Sequence, residues 1–355
     1  MKIAIVGASG FIGLRAVEWF TLGRRAEVRA VVRSFSSLAV LARQELDWRV
    51  ADPLDARALA GAVEGCDAML HAAIGDPDQI EKMAASAVAA CRAARIPRLV
   101  WLSSASVHGQ APASGTEESS PLRDDLPFPY ARAKVRAEQT LAAARDVPSV
   151  RLRPGIVFGP RSSWIVDAAR QVQTGTAWWI GGGRGVCHSI YVDNLLEAAR
   201  LACTVPEAVG EAFLVGDAEE VRWRDFLLPI AEAVGGGEHS FRDLAPRDLP
   251  GHETLRGLPR WTSLGLVRAA ALQVPDRVKR LVKSAAAAWP EAPPSPGAWS
   301  LPAPPAPRLS AELGELMQGT CKLPHAKAAR LLGYRPIGPF AEGLRRSLAW
   351  LAWTR

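Results

Sequence analysis

Cysteines are few in this chain and form no pattern. Of 355 residues only five are cysteine: Cys66, Cys91, Cys187, Cys203 and Cys321. None form a C-x-x-C pair, their number is odd, and no histidine spacing near them fits a zinc site. A disulfide framework and a bound metal are therefore not expected, and unpaired thiols point to a reducing cytoplasm. No uncharged apolar run reaches the length of about 18 residues that a membrane-spanning helix needs. The opening "MKIAIVGASGFIG" carries one lysine and a short apolar run broken by glycines, which reads as a first β-strand rather than a signal peptide. Also missing is any block of five or more basic residues, although the net charge is +7 and the pI about 9.5. The excess lies in arginines spread through an Ala/Arg/Pro-rich chain, so nucleic acid is not expected as a partner.

What is present is globular: 48% hydrophobic and 22% charged residues, with 30 glycines and 27 prolines. The length allows one large α/β domain with a smaller satellite. Over the first 150 residues, short β-branched runs alternate with Ala/Leu-rich stretches of helical spacing. Strands are predicted at 2–7, 27–33, 47–52, 67–73, 98–104 and 149–155, and helices at 11–22, 36–43, 55–63, 78–95 and 130–145. Such alternation predicts right-handed βαβ units and a parallel sheet covered on both faces, with ligands beyond the carboxyl ends of its strands. Beyond residue 155 the alternation loosens. Segments 161–187 and 216–260 read as loop-rich, 188–215 as a return to strand and helix, and 310–353 as helical. The stretch 289–307 is too rich in proline for regular structure.

"GASGFIG" follows the first strand and opens a helix. Gly7 permits the tight turn, Gly10 lets a pyrophosphate approach the backbone, and Gly13 lets helix pack on strand. Ser9, Phe11 and Ile12 belong to the same loop, where the free N–H groups of the helix start hold phosphate. The second strand ends at Arg33, where an NAD-selective site presents a carboxylate. An arginine there pairs with a 2′-phosphate, so NADP is preferred and NAD is the alternative. Asp52 ends the third strand, placed to accept from an adenine amino group, while Asp55 reads as a helix cap. Ala72 and Ala73 end the fourth strand and leave room for the cofactor beside a packed His71. The fifth strand runs out into "LSSASVHG", whose serines either polarise a carbonyl or satisfy their own loop.

"FPYARAKVRAEQ" then places Tyr130 four residues before Lys134 on one helix face. Alone, that pair is an ordinary amphipathic face. Beside a dinucleotide loop and a serine-rich strand end it reads as a site. Tyr130 transfers a proton if its pKa falls from about 10 toward neutrality. The Lys134 ammonium and the helix N-terminus favour the phenolate, and Lys134 also holds the nicotinamide ribose.

Together "GASGFIG", "LSSASVHG", "YARAK", "LRPGIVFGP" (152–160), "YVDNLLEA" (191–198) and the tail 327–351 resemble the extended short-chain dehydrogenase/reductase family. That family includes the NAD-dependent epimerases/dehydratases and the 3β-hydroxysteroid-dehydrogenase-like enzymes. The resemblance implies a Rossmann-type doubly wound α/β fold with a smaller, discontinuous C-terminal substrate domain. Residues 1–160 would form the NAD(P)-binding domain, with 188–215 returning to it, and 161–187 and 216–355 the substrate-binding and lid region. It makes Ser104 catalytic beside Tyr130 and Lys134, and lines the nicotinamide with Pro154, Ile156 and Val157. It also implies a homodimer through the helices at 78–95 and 130–145.

Departures from the family pattern sharpen the reading. His108 precedes Gly109 where Tyr or Phe is common, and no asparagine stands in the helix before the fifth strand. Sugar-nucleotide members carry an Arg-Asp pair where this chain has Cys187 and His188, with Arg184 displaced. The expectation is thus an NAD(P)-dependent oxidoreductase acting on a carbonyl or alcohol of a small, hydrophobic or ring-containing substrate. A nucleotide-sugar epimerase or dehydratase is the alternative, and a non-catalytic dinucleotide-binding regulator the third reading. Trp164, Trp178 and Trp179 form either an apolar wall for such a substrate or core packing. The basic segment 255–288 is a pocket lid or a helix in contact with a membrane surface.

Overall fold

A computed structural model of the chain describes residues 1–249 and 309–354. The chain opens with β1 (Lys2–Val6), α1 (Phe11–Leu22), β2 (Glu27–Val32), β3 (Asp47–Val50), α2 (Ala56–Val63) and β4 (Ala68–His71). It continues through α3 (Pro77–Ala94), β5 (Leu99–Leu102), α4 (Pro129–Ala143) and β6 (Ser149–Pro154). These bounds agree with the six predicted strands and four of the five predicted helices to within a few residues. The fifth, expected over 36–43, is a 3-10 turn at Phe35–Leu41, in which Leu41 is the one buried residue and Leu38 packs only partly on the core.

Next come β7 (Ile156–Phe158), α5 (Ser163–Gln173), β8 (Trp178–Ile180), β9 (Val186–Cys187), β10 (Ser189–Tyr191), α6 (Val192–Thr204) and β11 (Ala212–Val215). The remaining described elements are β12 (Val221–Arg222), α7 (Trp223–Ala233), β13 (Arg242–Leu244), α8 (Ala311–Leu316), α9 (Ala326–Leu332) and α10 (Phe340–Trp353).

Seven parallel strands make the main sheet, in the order β11-β6-β5-β4-β1-β2-β3. The pleat sends Ile3 and Ile5 of β1 into a layer with α1 and α6, and Ala4 and Val6 into a layer with α2, α3 and α4. Both faces are covered, as near-continuous apolar strands require. This is a Rossmann-type doubly wound α/β fold. Strand order reverses at β1, which pairs with β2 on one side and β4 on the other, and the crevice of such sheets opens there.

Two segments that read as loops carry helices instead. The Ser162 hydroxyl accepts from the N–H of Trp164 and caps α5, which buries Ile165 and Ala169. In α7, Pro229 removes one helical hydrogen bond, yet the helix persists because Trp223, Phe226, Leu227 and Ile230 are buried along one face. The pairs β7–β10, β8–β13 and β9–β12 lie outside the main sheet.

The segment expected to be helical from 310 to 353 is three helices, with Gly333 ending α9 in the left-handed region. "YVDN" ties that tail down. Arg15 donates to both Asp193 carboxylate oxygens (2.7 and 2.8 Å). Asn194 accepts from the N–H groups of Ile337 and Gly338 and donates to the Gly338 carbonyl. Segments 255–288 and 289–307, read above as lid and proline-rich stretch, lie outside the described residues. Among the described residues no helix is long and apolar enough to cross a membrane.

Candidate active site

A groove of about 530 Å³ runs along the carboxyl ends of β1 to β6. Its floor is the loop between β1 and α1. Gly7 adopts φ +84°, and a Cβ there would lie 2.6 Å from the Ala73 Cα. A Cβ on Gly13 would stand 2.1 Å from the Gly7 carbonyl oxygen, so helix and turn touch. Gly10 differs, because a Cβ there would meet only the Gly7 carbonyl oxygen, at 3.4 Å, and no side chain caps the helix start. Uncapped first-turn N–H groups fit a phosphate group.

Ser9, Gly10, Phe11 and Ile12 line this groove with Arg33, Asp52, Ala72 and Ala73. So do Ser104, Tyr130, Lys134, Pro154 and Val157. Gly13 and Ile156 do not; the first packs beneath the turn and the second faces the neighbouring cavity. Asp52 already accepts from the N–H of Leu54, an Asx turn that holds its carboxylate at the groove edge. Asp55 caps α2 through the N–H groups of Arg57 and Ala58, as its position predicts. The groove thus has the glycine loop and strand-end residues that could hold a dinucleotide.

The three polar groups expected to act together meet at one end of it. Ser104 opens the 3-10 turn Ala105–His108, and its Oγ accepts from the Ser106 N–H (3.2 Å) and the Ser106 hydroxyl (2.9 Å). Both lone pairs are then taken, leaving its own O–H to donate. Its hydrogen bond with the Tyr130 phenol favours the phenolate. Lys134 is only 4% exposed, and its Nζ donates to the Leu102 carbonyl at 2.7 Å. The same ammonium lies 5.7 Å from the Tyr130 ring centroid and 5.5 Å from that of Trp101.

The electrostatics depart from the expectation of a depressed tyrosine pKa. Burial pushes Tyr130 up to about 12, more than the Ser104 hydrogen bond pulls it down. The Lys134 ammonium is turned to the Leu102 carbonyl, and burial brings it down to about 8 against the attraction of Glu138. Desolvation dominates both groups, so the resting pair is a neutral phenol over a lysine that is easily discharged. His71 is packing, as expected: it stacks on Trp101 at 4.4 Å, and burial holds its pKa near 3.

A second cavity, about 460 Å³, adjoins the groove. Ser104, Tyr130, Gly155 and Trp164 line both spaces. Ala105, Ile156, Leu313, Leu316 and Leu323 supply apolar walls and Ser106, His188, Ser310, Gln110 and Glu312 polar ones, with buried Gln110 donating to the Glu312 carboxylate at 2.8 Å. Trp164 therefore stands at the site, as one of the two readings expects. Trp179 does not; it is buried and stacks on Phe241 with ring centroids 4.3 Å apart.

Sequence reasoning passed over Glu138 and Arg153. Arg153 donates to Glu138 at 2.6 and 2.9 Å, Ser103 donates to the same carboxylate at 2.5 Å, and His108 lies 3.0 Å from Arg153. Glu138 follows Lys134 by one helical turn, a spacing that carried the clue.

Similarity to known proteins identifies the family. The family model described as NAD(P)H-binding matches residues 7–172. A 2-alkyl-3-oxoalkanoate reductase of Stenotrophomonas maltophilia is 32% identical over 255 residues, covering 66% of this chain and 76% of that protein. A Mycobacterium tuberculosis 3β-hydroxysteroid dehydrogenase/Δ5→4-isomerase is 28% identical over 264 residues, covering 66% of this chain and 70% of that one. Among solved structures, an NAD-bound dTDP-glucose 4,6-dehydratase of Streptomyces venezuelae superposes with a TM-score of 0.71. Its identity is 20%, over 100% of this chain and 98% of its own, so the likeness is one of fold. With its glycine loop, NAD(P) groove and reductase relatives, the chain belongs to the extended short-chain dehydrogenase/reductase family and is an NAD(P)-dependent oxidoreductase.

Proposed function

We propose that the protein reduces the carbonyl of a hydrophobic substrate, with NADPH as the preferred reductant. The observation that carries this is the shared wall: Ser104 and Tyr130 line both the groove and the second cavity. Bound NADPH supplies the hydride to the carbonyl carbon. Tyr130, a neutral phenol at rest, gives its proton to the carbonyl oxygen, so the product alcohol gains one hydride and one proton. The Ser104 O–H orients and polarises that oxygen, and Lys134 places its charge beneath the tyrosine and toward the ribose. Gly7, Gly10 and the α1 start would hold the pyrophosphate, Pro154 and Val157 would line the nicotinamide side, and Arg33 would pair with a 2′-phosphate.

In this reading residues 1–160 and 188–215 bind the cofactor, and 161–187 and 216–355 shape the substrate side. The apolar side of the second cavity, formed by Ala105, Ile156, Leu313, Leu316 and Leu323, supports this chemistry over a nucleotide-sugar epimerase. The test is stoichiometry: incubated with NADPH and apolar ketones or β-keto esters, the enzyme consumes one NADPH per alcohol formed. Product without net NADPH consumption would place it among redox-neutral enzymes.

A further inference from the structure

Beyond the cavity at Tyr130 lies a third space of about 220 Å³ between α5 and α7. Trp164 and Leu313 form the wall it shares with that cavity. Past them it is lined by Trp178, Trp223, Phe241 and Met317. The Trp223 indole N–H is already spent on the Leu316 carbonyl at 3.2 Å, so the ring offers the slot only its apolar face. Trp178, Met317 and Leu227 are buried, and polar groups enter only along the α5 edge, at Ser163, Asp167 and Gln171. The space is several times a water molecule's share of the liquid, about 30 Å³, and its aromatic end offers water few partners.

We propose that this slot is a second substrate subsite, which takes a hydrocarbon branch running from the reacting carbonyl past Trp164. This rests on the reductase reading above and adds to it the shape of the substrate: a carbonyl compound with an extended alkyl or isoprenoid arm. Trp164 lines both cavities, and in this proposal the arm passes around that indole. Chain length past this point, rather than the group beside the carbonyl, then sets specificity.

The probes are a series of methyl β-keto esters, from methyl acetoacetate to the ester of β-ketopalmitic acid, and the matching saturated methyl ketones. With wild-type enzyme and NADPH, kcat/KM rises about fourfold per methylene once the chain passes Trp164, then levels off. Ala168→Phe, which fills the slot from α5, collapses the long-to-short ratio toward one. Leu313→Trp at the shared wall does the same should Ala168→Phe fail to fold. Binding is read separately, as the change in tryptophan fluorescence and the calorimetric Kd for a long methyl ketone with NADP⁺ present. Turnover of short esters with a flat length series overturns the slot and leaves the reductase reading standing. Tight, Ala168→Phe-sensitive binding of the long ketone without turnover of any ester supports the slot and overturns the reductase reading.

Discussion

Glu138 and Arg153 form a two-pronged buried ion pair, 2.6 and 2.9 Å long, with side chains 3% and 5% exposed. The pair joins three pieces of the site. Glu138 shares α4 with Tyr130 and Lys134, Arg153 precedes Pro154, and Ser103, the neighbour of Ser104, donates to the same carboxylate. Around Lys134 stand Glu138 and Tyr130 on α4, His71 on β4 and Trp101 on β5. Of these only Glu138 carries negative charge.

Glu138→Gln leaves the Arg153 cation without its partner. Breaking such a pair costs about 3–5 kcal/mol, to be read as a lower denaturant midpoint. A purely structural brace would do no more. Here the loss of negative charge also lowers the Lys134 pKa further, so the basic limb of the pH profile moves to lower pH. Glu138→Asp restores most of that limb.

On the proposed mechanism Lys134 sets the basic limit of activity. Burial lowers its pKa to about 8, so the ammonium is present below that pH and lost above it. Tyr130, at about 12, stays protonated throughout this window. The expected kcat/KM for carbonyl reduction is level from neutrality to about pH 8 and declines above it. Lys134→Met removes the limb together with most of the activity, while Lys134→Arg, charged at every accessible pH, moves it upward.

Arg33 is the test of cofactor choice. It is exposed at the groove edge, where a charge-assisted contact contributes about 1.5 kcal/mol. Arg33→Ala should therefore lower the NADPH-to-NADH affinity ratio by about tenfold, measured by fluorescence titration. An unchanged ratio removes Arg33 from the 2′-phosphate.

Asp217 gives a pH dependence to stability rather than catalysis. It accepts from the Tyr191 N–H and the Asn194 amide, and also takes the Ser189 hydroxyl, but burial outweighs these bonds and raises its pKa from 3.8 to about 6. The folded state then holds this proton more tightly than the unfolded chain. Its contribution is fully present below about pH 4 and is lost as pH rises through about 6. Asp217→Asn should flatten that part of the stability curve in thermal melts.

The sequence was most legible where function is local in the chain. "GASGFIG" states its own turn, and the strand runs announce their bounds within a few residues because both sheet faces are apolar. Tyr130 and Lys134 could be read from one helical turn. What escaped depends on the tertiary fold. Glu138 meets Arg153 across α4 and β6, and a spacing rule along one helix sees only half of that pair. The direction of the Tyr130 shift follows from desolvation, which no motif encodes. The aromatic slot draws Trp164, Trp223 and Leu313 from three separate segments. Helix α7 was hidden by Pro229, whose cost its buried aromatic face outweighs.

The most direct test is the turnover of Tyr130→Phe, with cofactor affinity measured alongside. Removing only the phenolic oxygen should lower kcat for carbonyl reduction by about 10²–10⁴ while NADPH binding stays close to wild type. Near-full turnover in this variant would contradict the assignment of Tyr130 as the proton donor.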